Sequence, residues 1–217
     1  MTHYKAVVFD MDGTILDTLT DMHNAVNRIL TKHGCPERTF EQVKSYVGNG
    51  IKPLLERAFP KGYDGDFNKL TEEFMLDYKV HCADFTRPYD GIPEVMKALR
   101  NSGVKVAIVS NKPDLAVNKL AERFFDGLYD VAVGEIEGLD KKPAPDEVYH
   151  ALNMLDVENT SAVYVGDSDV DLLTAKNSEM DCISVSWGFK TREFLEDLNA
   201  KTIIDSPAEI LSIVFGK

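Results

Sequence analysis

Four polar clusters in the sequence combine carboxylates, a hydroxyl and lysines, the side chains that chemistry at a phosphoryl group requires. The clusters are Asp10-Met11-Asp12-Gly13-Thr14, Ser110-Asn111-Lys112-Pro113, Lys141-Lys142-Pro143-Ala144-Pro145 and Gly166-Asp167-Ser168-Asp169-Val170-Asp171. Asp10 and Asp12 are two residues apart, so their side chains leave the same face of an extended chain. Gly13 lets the backbone turn sharply directly afterwards. The first cluster therefore predicts two carboxylates held side by side at a turn.

A divalent cation is expected where these carboxylates meet. Bringing Asp10 and Asp12 together with Asp167 and Asp171 would be strongly repulsive without added positive charge. Oxygen ligands in this number suit Mg²⁺, which takes one or two carboxylates and keeps waters and phosphate oxygens. The acidic clusters therefore predict a Mg²⁺ site.

The remaining polar groups suit an anionic substrate. Ser110, and the N-terminus of a helix after Pro113, offer hydrogen-bond donors to phosphate oxygens. A lysine from the third cluster supplies further positive charge. Together, a carboxylate, Mg²⁺, a hydroxyl and a lysine are what phosphoryl transfer to an aspartate needs.

Alternating strands and helices must bring these clusters together. Short β-branched runs alternate with helical periodicity, which predicts an α/β fold with a parallel sheet. The predicted strands are 6–9, 104–109, 129–133, 162–165, 182–185 and 202–204, and the predicted helices include 114–124, 146–155, 169–177 and 206–214. Pro113 suits a first helical position, and Ser206-Pro207-Ala208-Glu209 has the spacing of a capping box with proline at its first helical position. Ligands bind beyond the carboxyl ends of strands in such sheets, where the clusters converge.

The stretch 17–86 interrupts this alternation with helical periodicity alone. Its predicted helices are 19–33, 39–47, 50–59 and 67–83, and Thr39-Phe40-Glu41-Gln42 makes a capping box for the second. We therefore predict a Rossmann-like three-layer core, formed by residues 1–16 and 87–217, with an inserted all-helical cap over residues 17–86.

Composition limits the partners. The 217 residues include 24 Lys and Arg against 36 Asp and Glu, a net charge of −12. A field of that sign repels nucleic acid and anionic membranes, so neither is expected as a partner. Three cysteines without a C-x-x-C spacing, and an N-terminus without a signal-peptide pattern, predict a reducing, cytoplasmic location. The oligomeric state stays open.

The four clusters, in this order, resemble the motifs of the haloacid dehalogenase-like hydrolase superfamily. The matching motifs are D-M-D-G-T at 10–14, S-N-K at 110–112, K-P-A-P at 142–145 and G-D-S-D-V-D at 166–171. Within the superfamily the chain is similar to phosphoglycolate phosphatases, through D-M-D-G-T-I-L-D-T, A-V-N-R-I-L (25–30), V-G-N-G (47–50), S-N-K-P (110–113) and A-K-T-I-I-D-S-P-A-E-I-L (200–211). The resemblance implies Mg²⁺-dependent hydrolysis of a small phosphorylated metabolite, with 2-phosphoglycolate as the leading substrate, through an aspartyl-phosphate.

The resemblance also implies a role for each core residue. Asp10 would be the nucleophile and a Mg²⁺ ligand. Asp12 would be the general acid for the leaving alcohol and then the general base for water, with its backbone carbonyl on the metal. Ser110 would bind the transferring phosphoryl group, and Lys142 would neutralise it and orient Asp10. Asp167 would be a metal ligand.

The resemblance implies roles for further residues as well. Thr14 and Asn111 would bind substrate, and Gly48-Asn49-Gly50 would sit over the leaving group. Asp171 would order a metal-bound water or Lys142. Alternatively, Asp171 mainly starts a helix, because Ser168-x-x-Asp171 is a capping-box spacing. Gly48-Asn49-Gly50 could likewise be only a turn between helices.

Two rival functions stay open, of which the first shares all four motifs. A phosphomutase of the β-phosphoglucomutase type would return the phosphoryl group to a sugar. A non-enzymatic, receiver-like phosphoacceptor module also combines acidic residues, a hydroxyl and a lysine on an α/β sheet. Asp12 argues against the receiver, because a base beside the phosphorylated carboxylate promotes turnover.

Overall fold

The computed structural model describes residues 4–216, which divide into two compact units. One unit contains the chain up to Leu16 and again from Pro88 onward, and the other is Asp17–Arg87. The chain passes between the units through two short paired strands, β2 (Leu16–Asp17) and β3 (Arg87–Pro88).

A six-stranded sheet forms the centre of the first unit within the described residues, in the order β5-β4-β1-β6-β7-β8. Its strands are β1 (Ala6–Phe9), β4 (Lys105–Pro113), β5 (Val131–Glu135), β6 (Ala162–Gly166), β7 (Asp181–Val185) and β8 (Ile203–Ile204). Every pairing is parallel; Phe9, for example, lies opposite Ile108 on one side and Val165 on the other. The chain runs from β1 towards one edge and returns for β6 on the opposite side. The strand order therefore reverses at β1, the place where open α/β sheets bind ligands.

Helices cover this sheet. They are α5 (Ile92–Asn101), α6 (Asp114–Phe125), α7 (Asp146–Leu155), α8 (Asp169–Asn177), α9 (Arg192–Asp197) and α10 (Ala208–Phe215). Ala6 and Val8 pack in one apolar cluster with residues of α7 and α8, such as Val148 and Ala175. The alternate β1 residues, Val7 and Phe9, are fully buried too. Both faces of the sheet are therefore covered, which explains why its strands lack polar alternation. The predicted α/β fold is confirmed.

The second unit is helical, with α1 (Leu19–Lys32), α2 (Phe40–Tyr46), α3 (Ile51–Ala58) and α4 (Phe67–His81). The predicted capping box at Thr39 is present, because Thr39 and Gln42 each accept from the other's backbone N–H. Asp21, buried on α1, accepts hydrogen bonds from the backbone of Phe85 and from both the backbone and hydroxyl of Thr86. This carboxylate fixes the segment that leads out of the unit.

The structure departs from the sequence prediction at several element ends. Helix α6 begins at Asp114, so Pro113 is the last residue of β4 and not the first of the helix. Helix α10 begins at Ala208 with Pro207 before it, and Glu209 accepts from the backbone N–H of Ser206 without a reciprocal side-chain cap. Within residues 4–216, no helix is both long and apolar enough to cross a membrane.

Candidate active site

A tight turn at the carboxyl end of β1 presents the first two carboxylates. Asp10 donates its backbone N–H to the carbonyl of Val165 on β6, at 2.9 Å. The next carbonyl, of Met11, accepts from the N–H groups of Thr14, Ile15 and Leu16, which closes the turn. Gly13 has φ of +84°, and a Cβ there would come within 2.5 Å of an Asp167 carboxylate oxygen. A side chain at position 13 would therefore displace the carboxylate that the turn approaches.

Lys142 joins the clusters through its ammonium group. Its Nζ donates to Asp10 Oδ1 at 2.7 Å, to the Tyr164 hydroxyl at 2.8 Å and to Asp171 Oδ1 at 3.0 Å. Three acceptors match the three protons of an ammonium group. The side chain is 3% exposed, so these bonds replace water. Lys142 is thereby fixed in position beside Asp10.

Asp171 serves both of the roles that the sequence left open. Its Oδ1 accepts from Lys142 and from the Tyr164 hydroxyl, both at 3.0 Å. Its Oδ2 accepts from the backbone N–H and the hydroxyl of Ser168, completing a capping box at the start of α8. One carboxylate thus starts the helix and holds the lysine.

Asp167 follows β6 and faces the turn after β1. Its Oδ1 accepts from the Thr14 hydroxyl at 3.3 Å, and its Oδ2 accepts from the backbone N–H of Phe189 at 2.6 Å. The Thr14 side chain is fully buried. In this structure Thr14 therefore orients Asp167, and its predicted contact with substrate remains a prediction.

The end of β4 contributes a hydroxyl, an amide and a second lysine. The Ser110 hydroxyl accepts from the backbone N–H of Lys112 at 3.3 Å. Asn111 donates its side-chain amide to the carbonyl of Lys142 at 2.9 Å and so braces the lysine loop. The Lys112 ammonium lies 3.1 Å from Asp12 Oδ2. Lys112 therefore contacts the first cluster and Asn111 the third, whereas the Ser110 hydroxyl bonds within its own cluster.

Burial and mutual repulsion set the electrostatics of the site. Burial, and then the charge of Asp171, raise the pKa of Asp10 well above its usual range, although Lys142 acts in the opposite direction. Burial and Asp171 likewise raise the pKa of Asp167 to about 7. Burial alone would lower the pKa of Lys142, but the charges of Asp10 and Asp171 raise it well above the usual value. Lys142 therefore stays positively charged. A further positive charge beside Asp10 and Asp167 would stabilise the ionised form of both carboxylates.

The acidic groups fit a hard divalent cation. Asp10, Asp167 and Asp171 each offer a carboxylate oxygen, and these oxygens lie within 4.8 Å of one another. Each Asp171 oxygen already accepts at least two hydrogen bonds, from Lys142 and Tyr164 at Oδ1 and from the backbone N–H and hydroxyl of Ser168 at Oδ2, whereas the two Asp167 oxygens accept one each. Asp10 and Asp167 are therefore the better ligands of the three. The expected contribution of Asp12, through its backbone carbonyl, stays a prediction.

The predicted leaving-group loop belongs to the second unit. Gly48, Asn49 and Gly50 lie between α2 and α3, and Gly50 precedes the first residue of α3 with φ of +91°. The side-chain oxygen of Asn49, Oδ1, accepts a hydrogen bond from the Arg57 guanidinium at 2.8 Å. The loop is a turn between helices, as the alternative interpretation had it, and its proposed contact with substrate stays untested.

Sequence reasoning gave no role to two of these residues. Tyr164 lies inside β6, where an aromatic side chain predicts core packing, and only the fold shows that its hydroxyl joins Lys142 to Asp171. Burial raises the pKa of Tyr164 well above 10, despite the opposing charge of Lys142, so the hydroxyl keeps its proton to donate. Lys112 stood within the S-N-K motif, but its ion pair with Asp12 needs the proximity of β1 and β4.

Comparison with known proteins agrees with this geometry. The family model described as haloacid dehalogenase-like hydrolase matches residues 7–185. The phosphoglycolate phosphatase of Pseudomonas savastanoi pv. phaseolicola is 32% identical over 95% of this chain and 78% of its own length. The N-acetylmuramic acid 6-phosphate phosphatase of Pseudomonas aeruginosa is 29% identical over 97% of this chain and 94% of its own. A crystal structure from Lactobacillus delbrueckii subsp. bulgaricus, provisionally described as a phosphoglycolate phosphatase, is 37% identical with a TM-score of 0.92, covering 100% of both chains.

The family match covers all four motifs and the strands that carry them. The resemblance inferred from the motifs is therefore confirmed, and with it the expectation of an enzyme. The chain belongs to the haloacid dehalogenase-like hydrolases, as a phosphatase of the phosphoglycolate phosphatase-like group.

Proposed function

We propose that this phosphatase hydrolyses a small phosphomonoester, 2-phosphoglycolate in the first instance, with Mg²⁺ and through an aspartyl-phosphate on Asp10. The observation that carries the proposal is the buried contact of the Lys142 ammonium with Asp10 Oδ1, at 2.7 Å. It fixes a carboxylate at the carboxyl end of the central strand, beside a permanent positive charge. A carboxylate held in this way is suited to attack phosphorus.

In the first half-reaction an Asp10 oxygen attacks phosphorus and the bond from phosphorus to the alcohol oxygen breaks. Asp12 gives its proton to the departing oxygen, so that no free alkoxide forms. Lys142 neutralises charge on the transferring group, and the Ser110 hydroxyl donates to one of its oxygens. In the second half-reaction Asp12 takes a proton from water, whose oxygen attacks phosphorus and releases phosphate and the Asp10 carboxylate.

Asp10, the Asp12 carbonyl and Asp167 would hold the metal ion. When bound, Mg²⁺ supplies positive charge among the carboxylates and the phosphate oxygens. Asp171 and Thr14 are not proposed as metal ligands; their hydrogen bonds hold Lys142 and Asp167 in position.

The cytoplasmic location stays a prediction.

Residues 17–86, which lie within the second unit, are proposed to act as a helical cap. Contacts to the phosphoryl group are the same for every phosphomonoester, so selection must come from groups that meet the leaving part. We assign this role to Gly48, Asn49, Gly50 and the nearby Lys52. The exposed Lys52 ammonium donates to Asn68 Oδ1 at 2.9 Å. We assign it the role of binding the substrate carboxylate.

An amino-sugar 6-phosphate is the second candidate substrate. It rests on the Pseudomonas aeruginosa relative, which matches nearly the whole of both chains. Phosphate release should be measured with Mg²⁺ over a panel that holds 2-phosphoglycolate, N-acetylmuramic acid 6-phosphate and β-glucose 1-phosphate. We expect the highest kcat/KM on 2-phosphoglycolate. A higher kcat/KM on N-acetylmuramic acid 6-phosphate would instead identify the protein as a phosphatase of amino-sugar phosphates. Conversion of glucose 1-phosphate to glucose 6-phosphate would instead show a mutase.

A further inference from the structure

A second buried lysine lies in this site besides Lys142. Lys112 is on the last part of β4, its side chain is 1% exposed, and its ammonium lies 3.1 Å from Asp12 Oδ2. An ammonium group removed from water is unfavourable unless a partner compensates the lost hydration. Asp12 is the carboxylate that meets it, and the side chain of Asp12 is 15% exposed. The ion pair is therefore largely buried, with Lys112 the more deeply buried of its two side chains.

Asp12 needs an external constraint to act as an acid. The terminal torsion of an aspartate side chain has a broad energy well, so the backbone alone does not fix the orientation of its carboxylate. The Lys142 ammonium contacts Asp10 and Asp171, whereas the Lys112 ammonium contacts Asp12. A charge-assisted contact to one oxygen restricts the carboxylate, which is what proton transfer to a departing oxygen demands.

We propose that Lys112 is a positioning residue for Asp12: it contacts Oδ2 and so orients the carboxyl group whose proton, on Oδ1, goes to the leaving alcohol. The inference rests on the proposed role of Asp12 as general acid. Lys112 need not touch the substrate in this role. It acts through Asp12, whereas Lys142 acts on Asp10 and on the phosphoryl group.

Substrates whose leaving groups differ in basicity distinguish the proposed role of Lys112 from that of Lys142. An alkyl phosphate needs a proton on its departing oxygen, whereas 4-nitrophenyl phosphate leaves as a stable anion. The quantity to measure is kcat/KM, which reports the steps up to the departure of the alcohol. Lys112→Met should lower kcat/KM about 10²-fold for the alkyl phosphate that the parent hydrolyses best, and less than about fivefold for 4-nitrophenyl phosphate. Lys112→Arg should recover part of the loss on the alkyl phosphate.

A double variant tests whether Lys112 acts through Asp12. Asp12→Asn should show the same leaving-group dependence, and adding Lys112→Met to it should change kcat/KM for either substrate less than about twofold. Lys105→Met is the matched control, since Lys105 is on the same strand and its ammonium pairs with Asp130 at 3.6 Å. That control should retain the activity of the parent.

Several results would overturn the inference. They are equal losses on both substrates, a change confined to KM, no loss on the alkyl phosphate, or a full additional loss in the Asp12→Asn background. Thermal unfolding of each variant shows whether it folds. If Lys112→Met does not fold, Lys112→Gln and the double variant, which removes both charges, give the same comparison. A parent that hydrolyses neither substrate would refute the proposed function itself, separately from the role of Lys112.

Discussion

Asp10 is the residue on which the proposed chemistry depends most. Its carboxylate is buried at the end of β1 and bonded to Lys142. Asp10→Asn keeps the shape but replaces the attacking oxygen with an uncharged amide that cannot form the acyl-phosphate. We expect the variant to fold and to retain less than about 1% of the parent's kcat. Phosphate release and circular dichroism measure the two properties. A folded variant with substantially higher activity would contradict the nucleophile assignment.

Glu147 makes stability depend on pH. Its carboxyl, in the first turn of α7, is fully buried, and burial raises its pKa to about 7 against the opposing charge of Lys142. The folded protein therefore holds this proton more tightly than the unfolded chain does. The resulting stabilisation is present below about pH 4.5 and is lost as the pH rises through about 7.

Glu147→Gln should remove this dependence. Relative to the parent, the variant should gain roughly 2 kcal/mol in the free energy of unfolding between pH 5 and pH 8, by denaturant titration at both values. Glu137→Gln, which removes an exposed carboxylate from the loop after β5, is the matched control. An equal gain in both variants would show that the effect does not come from Glu147.

At the scale of elements, the loop between α2 and α3 carries the proposed selectivity. Gly50→Val places a β-branched side chain at φ of +91°, next to the first turn of α3. We expect kcat/KM for 2-phosphoglycolate to fall by about 10²-fold or more, because donors of the loop would lose their approach to the substrate. Hydrolysis of 4-nitrophenyl phosphate, which does not use those contacts, should fall much less.

Gly62→Val is the matched control for backbone strain. Gly62 has φ of +84°, is exposed and lies in the same unit, between α3 and α4. It should share any loss of stability without the loss of selectivity. If Gly50→Val lowers the activity on both substrates equally, the loop is structural and the proposed selectivity is wrong.

The elements themselves were largely predictable from the sequence. Buried parallel strands read as continuous apolar runs, and α7 and α8 begin and end where the periodicity predicted. Helix α5 is not among the helices predicted from the sequence, and the two-residue strands β2 and β3 are too short for a periodic signal. Local patterns cannot supply these elements.

The candidate site was predictable where strand ends carry their own chemistry. The four clusters do converge, because the carboxyl ends of parallel strands meet at one edge of the sheet. The contacts of Tyr164 and Lys112 were not predictable, since each joins residues from different strands. Such partners follow from register and side-chain direction, which one sequence does not specify.

At the scale of the whole molecule, a net charge of −12 means that an anionic substrate needs local positive charge at the site. We expect activity to require Mg²⁺ and to be inhibited by Ca²⁺. Asp10 and Asp167 offer few protein oxygens, which suits Mg²⁺ with its retained waters, whereas Ca²⁺ takes six to eight oxygens at longer distances. Phosphate release after dialysis against chelator, with each ion added back, measures this. Full activity in chelator, or with Ca²⁺ alone, would contradict a Mg²⁺ site.

The central claim is a covalent phosphoryl group on Asp10, and trapping it is the most direct test. In Asp12→Asn, attack of water should be slow, while 4-nitrophenyl phosphate should still transfer its phosphoryl group without an acid. After acid quench, borohydride reduces an aspartyl-phosphate to homoserine, and peptide mass spectrometry locates the change. The account predicts homoserine at position 10 after incubation with substrate and Mg²⁺, and none in Asp10→Asn/Asp12→Asn. A burst of nitrophenol with unmodified Asp10, or with homoserine at another position, would contradict it.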